Sequence, residues 1–150
     1  MTKGTMRRGF TIIEMIVVVA VIAFLISIAV PAFTALSNQA KQVKVDGDLH
    51  VMKLALDTYN MRNGRFPEDD VEQGQTALLA ESISVLESYR YDPFAADNST
   101  RYEYLLSSNG EYYVVYSVGK DHAGAMTISE EGEIAITAGN PIFVTNGTQP

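Results

Sequence analysis

The stretch from Phe10 to Phe33 carries a single charge, Glu14, in 24 residues, and it limits this chain to folds in which one long helix lies in lipid or among other helices. At about 1.5 Å of rise per residue such a helix covers roughly 36 Å, against about 30 Å of bilayer hydrocarbon. The run is membrane-spanning by length. An ordinary secretory signal has a shorter apolar core with its cleavage site behind it, whereas here a small residue, Gly9, stands in front of the run and behind a basic leader containing Lys3, Arg7 and Arg8. A cut after Gly9 would remove the basic residues and leave the apolar helix on the mature chain.

Glu14 needs an explanation of its own. An ionisable side chain inside a membrane segment costs on the order of a few kcal/mol and is usually found with a partner. Cleavage after Gly9 would create a cation, the amine of Phe10, and a neighbouring subunit shifted along the axis could bring its amine to the carboxylate in a low-dielectric core. On that reading Glu14 sets the register of an assembly. The alternative places it at headgroup level, as an acidic residue favoured by the helix N-terminus.

Gly9-Phe10-Thr11-Ile12-Ile13-Glu14 resembles the type IV prepilin cleavage motif. The resemblance implies an inner-membrane prepilin peptidase that cuts after Gly9 and methylates Phe10. It also makes Glu14 the fifth mature residue, where the family has its glutamate. Further along, Asp57-Thr58-Tyr59, Asn63-Gly64-Arg65-Phe66-Pro67, Asp92-Pro93-Phe94 and Tyr116-Ser117-Val118-Gly119-Lys120-Asp121 are similar to the major pseudopilin of type II secretion systems. The implied fold is α+β and pilin-like: a long N-terminal helix whose outer half packs on a small antiparallel sheet. The chain then divides into a leader (1–9), a transmembrane or filament-core half-helix (10–33), an amphipathic half-helix (34–62) and a globular head (63–150).

Past the apolar run, Val45, Leu49, Met52, Leu56 and Tyr59 recur at spacings of four and three, so the helix continues to Met61 with one face to bury. Lys41, Lys44, Asp48, Lys53 and Asp57 are expected on the remaining surface. Pro31 lacks a donor and is expected to kink or loosen the helix. Gly47 weakens it by about 1 kcal/mol relative to alanine, and Asn63-Gly64 with Pro67 is expected to end it. Gln75 to Tyr89, with Leu78, Leu79, Ile83 and Leu86, reads as a short helix.

After Asp92 the chemistry is that of strands. Arg101 to Leu106 and Glu111 to Val118 flank Ser107-Ser108-Asn109-Gly110, an Asn-Gly hairpin signal. Glu133 to Thr137 and Pro141 to Thr145 are expected to pair across Ala138-Gly139-Asn140, and Asn146 to Pro150 to trail as a tail. A head of this size is marginal as a free core, so its sheet is expected to pack on the helix stripe.

The chain has net charge −7 and no cysteine. Disulfides and thiolate-bound metals are therefore excluded, a departure from many type IV major pilins, which close a C-terminal loop with a disulfide. A basic leader before an acidic body predicts that the N-terminus stays cytoplasmic and the body crosses the membrane; the resemblance implies that this membrane is the bacterial inner membrane, spanned once with the head periplasmic, and that the subunit later stands in a periplasmic or extracellular filament. The acidic body also disfavours nucleic acid as a partner of the bare subunit. His50 and His122 belong to no catalytic pattern, no phosphate-cradling glycine motif occurs, and no enzyme is expected. Tyr112, Tyr113 and Tyr116 are read as sheet packing.

Calcium is the one cofactor the sequence raises. Hard cations take several oxygen ligands, and Asp121, Ser129, Glu130 and Glu131 occupy one acidic stretch with Gly124. The pseudopilin resemblance implies a calcium site in this region, with Asp121 matching its first aspartate. His122-Ala123-Gly124-Ala125-Met126 replaces the family's continuation, so no further ligand carries over. The other reading is a solvated loop closed by hydrogen bonds.

The function implied is a structural subunit of a type II secretion pseudopilus that polymerises through its N-terminal helix to move exoproteins across the outer membrane. Its partners would be the membrane, identical or related pilin-like subunits, the prepilin peptidase, and an inner-membrane assembly platform with its ATPase. The alternatives are a type IV pilus subunit for adhesion, motility or DNA uptake, or a membrane-anchored enzyme or sensor, which would need a pocket with convergent polar groups.

Overall fold

The computed structural model describes residues 9–68, 71–80, 86–97 and 99–148, with the backbone alone for 71–74. The leader residues 1–8 and Ile83 lie outside the described set. The chain forms two compact units, residues 1–39 and 40–150, and helix α1 (Ile12–Asn63) passes from one to the other.

In the first unit α1 opens on a reciprocal cap. The Thr11 backbone N–H and hydroxyl both donate to Glu14 Oε2 at 2.8 Å, and the Glu14 N–H donates to Thr11 Oγ1 at 3.3 Å. This is a capping box: two N–H groups that a helix start leaves without intrahelical partners find side-chain acceptors. Pro31 lies inside α1 and does not end it. Hydroxyls nearby donate to helix carbonyls, Ser27 Oγ to Phe24 O at 2.7 Å and Thr34 Oγ1 to Val30 O at 3.1 Å.

In the second unit α1 buries Val45, Asp48, Leu49, Met52, Ala55 and Leu56. These positions follow the three-four spacing of one helix face. The stripe from Val45 to Leu56 thus packs as its periodicity requires, with Tyr59 partly buried against the same core. The helix ends at Asn63, and Gly64 adopts a left-handed φ of 69° with its N–H on the Asn60 carbonyl at 2.8 Å.

Helix α2 is Val71–Ala80, earlier than the helix expected from Gln75 to Tyr89. Residues 86–89 are not helical; Gln75 instead holds the chain beyond α2, its Oε1 accepting the Arg90 N–H at 2.9 Å and its Nε2 donating to the Arg90 carbonyl at 3.1 Å.

Five strands follow: β1 (Glu103–Leu106), β2 (Tyr113–Ser117), β3 (Ala125–Ile128), β4 (Ile134–Ala138) and β5 (Ile142–Thr145). β2 is the centre of an antiparallel sheet ordered β1-β2-β5, and all its residues are buried. Tyr104 faces Val115 on one side of it, and Val144 faces Val115 on the other. Alternate β2 residues feed two cores. Tyr113 and Val115 join the helix stripe with Phe66, Leu78, Leu86, Phe94 and Tyr102. Val114 and Tyr116 pack with Met126 and Ile134 on the opposite face.

The expected pairing of 133–137 with 141–145 is corrected. β4 pairs with β3, in the register Met126 to Ile136 and Ile128 to Ile134, while β5 leaves to pair with β2. Gly139, with φ 61°, turns the chain between them, and hydrogen bonding along β2 claims β5. Nor do residues 146–148 trail; Gln149 and Pro150 of the expected tail lie outside the described set. The Asn146 side chain accepts the Tyr113 N–H at 2.8 Å and donates to the Glu111 carbonyl at 2.9 Å, and the Thr148 N–H donates to Gly132 O at 2.9 Å.

Candidate functional site: the helix start and the head loop

The sequence-marked residues fall into two groups, one in each unit. The first is Gly9, Phe10 and Glu14. Gly9 has no left-handed φ, and a Cβ there would meet nothing within 4 Å. The chain's own fold therefore places no demand for glycine at this position. Phe10 is exposed, and every large apolar side chain from Phe10 to Phe33 is at least 46% exposed. A helix apolar on all sides is a helix for lipid or for a bundle of its own kind. α1 is long and apolar enough to cross a membrane.

Glu14 is bonded within the subunit, and Thr11 supplies those bonds. Read from the sequence, Glu14 is either a register residue for assembly or an acidic residue favoured by the helix N-terminus; the part of Thr11 is absent from both readings, although the Thr-x-x-Glu spacing before an apolar run is a capping-box signal.

The second group lies on the loop between β2 and β3, residues 118–124. Asp121 is exposed, and its Oδ1 accepts the Ala123 N–H at 3.5 Å. The other acidic candidates are at the far end of β3. Ser129 Oγ accepts the Glu133 N–H at 3.1 Å, Glu130 Oε1 accepts the Ser108 hydroxyl at 2.7 Å, and the Glu130 carbonyl accepts Asn109 Nδ2 at 2.6 Å. A strand rises about 3.3 Å per residue, so β3 separates the two ends by about 10 Å, whereas oxygens around one calcium ion lie within about 5 Å of each other. The set Asp121, Ser129, Glu130 and Glu131 is thus not brought together. Among the described residues no three His, Cys, Asp or Glu side chains cluster as metal ligands. The donor set does not fit the ion.

The histidines do not converge on a site either. His50 is exposed on α1; His122 sits in the loop with its ring Nδ1 donating to the Phe94 carbonyl.

The polar residues expected on the outer face of α1 instead tie the helix to the head. Asp48 is buried and accepts from Lys44 Nζ at 2.9 Å, Arg90 Nη1 at 3.2 Å and the Tyr102 hydroxyl at 3.1 Å. Asp57 accepts from the Tyr113 hydroxyl at 3.1 Å, and Lys53 donates to the Thr145 carbonyl at 3.0 Å. Burial raises the phenols of Tyr102 and Tyr113 well above their ordinary range, and the neighbouring carboxylates add to the shift.

A long N-terminal helix beside a small antiparallel sheet defines a pilin-like α+β fold. Comparison with known families matches residues 33–134 to "Type II secretion system (T2SS), protein G" and residues 4–30 to "Prokaryotic N-terminal methylation motif". Relatives carrying the name type II secretion system core protein G include one from Klebsiella pneumoniae, 31% identical over 77% of this chain and 86% of that protein. Another from Pseudomonas aeruginosa is 29% identical over 77% of this chain and 84% of its own length. A third, from Klebsiella michiganensis, is 37% identical over 58% of this chain, which here spans 59% of the relative's length. No solved structure gives a significant match. The chain belongs to the type II secretion system protein G family.

Proposed function

We propose that this chain is a structural, non-enzymatic subunit of a type II secretion pseudopilus, cut after Gly9, N-methylated at Phe10 and polymerised through α1 to move exoproteins across the outer membrane. The observation that carries this reading is the exposure of every large apolar side chain from Phe10 to Phe33. Such a surface needs lipid before assembly and other helices after it. The glycine at position 9, unneeded by the fold, serves a reader outside the chain, and the prepilin peptidase is that reader. The basic leader keeps the N-terminus cytoplasmic while the acidic head crosses to the periplasm. Energy for assembly comes from partner machinery, an inner-membrane platform and its ATPase, since the sequence has no phosphate-cradling motif. In a single subunit Thr11 satisfies Glu14; in the bundle the amine of a neighbour's Phe10 takes its place beside the carboxylate.

The test uses Glu14→Val and Glu14→Gln in cells that carry the secretion machinery. Both variants keep Gly9-Phe10, so N-terminal mass analysis is expected to find methylated Phe10 while fractionation finds the subunits in the inner membrane and absent from sheared filaments. Wild-type incorporation of Glu14→Gln would show that charge pairing is not the role of this carboxylate. Filaments containing a chain that still begins at Met1 would overturn the processing and the family-based function together.

A further inference from the structure

The loop that the family resemblance marks for calcium is closed by other means, and its anchor lies 29 residues upstream of Asp121, at Asp92. Asp92 is 2% exposed. Its Oδ1 accepts the Phe94 N–H at 2.9 Å and the Ser117 hydroxyl at 2.8 Å, and its Oδ2 accepts the Val118 N–H at 2.9 Å. A buried carboxylate is expensive unless its oxygens are satisfied, and these donors satisfy both without a cation. Ser117 passes the contact on, its Oγ accepting the Gly119 N–H at 3.2 Å.

Beyond Gly119 the chain turns back on itself. The His122 N–H donates to Gly119 O at 3.0 Å, and the Gly124 N–H donates to Val118 O at 2.8 Å. His122 takes a left-handed φ of 57°, a conformation uncommon for a residue with a side chain although histidine is enriched there. That backbone turn carries the ring to the Asp92-Pro93-Phe94 segment, where Nδ1 donates to the Phe94 carbonyl and the ring meets Phe94 edge-on at 6.5 Å.

We infer that in this chain the Asp92 carboxylate and the His122 imidazole form a metal-free clasp that fastens the β2–β3 loop to the 92–94 turn. A cation that gathers a loop does so by drawing oxygens inward. Here N–H and O–H donors gather around one carboxylate, and the ring N–H reaches the carbonyl beside it. Asp121, the residue that matches the family's first ligand, is a bystander at the rim of this clasp.

The test measures the full-length protein in detergent micelles, by thermal unfolding and amide hydrogen exchange, with chelator and with calcium raised to about 10 mM, above the weakest extracellular sites. The expected result is an unchanged Tm and unchanged protection of the Phe94, Val118 and Gly124 amides. A site filled tenfold over its Kd would raise Tm by at least about 4 °C. His122→Gly accommodates the left-handed backbone while removing the ring together with its Cβ, and His122→Asn, which also tolerates that backbone, removes the ring and keeps a side chain; both are expected to speed exchange at these amides about tenfold with or without calcium. Asp92→Asn is expected to do so more strongly, and Asp121→Ala to leave all readings at wild type. A calcium-dependent rise in Tm that Asp121→Ala abolishes would overturn the inference, as would wild-type exchange in His122→Gly.

Discussion

Replacing Asp48 by alanine removes the acceptor at which α1 meets the head, and the structure sets the size of the effect. The Lys44 side chain is 52% exposed, so its pairing contributes only about 0.3–0.5 kcal/mol. Arg90 is more enclosed, at 31%, and the Tyr102 hydroxyl sits in a fully buried residue with Asp48 as its acceptor. Stranding such donors costs about 1–3 kcal/mol. The total expected is about 2–4 kcal/mol, a large share of the roughly 5–15 kcal/mol that stabilises a domain. At about 3–4 °C per kcal/mol for a folding unit of this size it lowers Tm by at least about 6 °C. Urea and thermal unfolding of the full chain in micelles measure it. Because Tyr102→Phe deletes the stranded hydroxyl, the double variant is expected to lose less than the sum of the singles. Stability within about 0.5 kcal/mol of wild type for Asp48→Ala, or strict additivity in the double, would show that Asp48 is not the tie described.

Two further outcomes follow from the same head. The buried phenols of Tyr102 and Tyr113 keep their protons in the folded state at pH values where unfolded tyrosine releases them. Their contribution is therefore complete below about pH 10 and is lost as pH rises beyond it, by about 1.4 kcal/mol per pH unit for each tyrosine; urea midpoints across alkaline pH should show this fall, to which the raised phenol of Tyr116 adds, and Tyr102→Phe should lessen it by about 1.4 kcal/mol per pH unit. Gly119 has φ 75°, and a Cβ there would stand 2.2 Å from the Asn140 carbonyl oxygen, whereas Gly64, at φ 69°, has open space. Gly64→Ala is thus expected to cost only the left-handed penalty of about 1–2 kcal/mol and Gly119→Ala clearly more, with equal Tm losses arguing against the close approach.

What the sequence made legible was periodic or punctuated. The Val45 to Leu56 stripe, the stop at Asn63-Gly64 and the strands on either side of Asn109-Gly110 each follow from local spacing, and each is found where that spacing puts it. Pairing partners were not local. β4 and β5 both exist, but which strand each pairs with depends on the vacant edge of β2, a property of the assembled sheet that no window of sequence contains. Asp48 was hidden for a related reason. On the helix alone it is one more charge between apolar positions, and only the arrival of Arg90 and Tyr102 from distant segments makes burial of that charge affordable. The same logic governs the head loop. Acidic residues close in sequence, Asp121 and Ser129 to Glu131, suggested one ion, yet the strand between them holds them apart, while Asp92 reaches Ser117 and Val118 across the fold. Charge proximity along the chain therefore predicts a site only where the intervening backbone turns; at the helix start, where Thr11 and Glu14 are one helical turn apart, it does turn, and there the spacing alone held the answer.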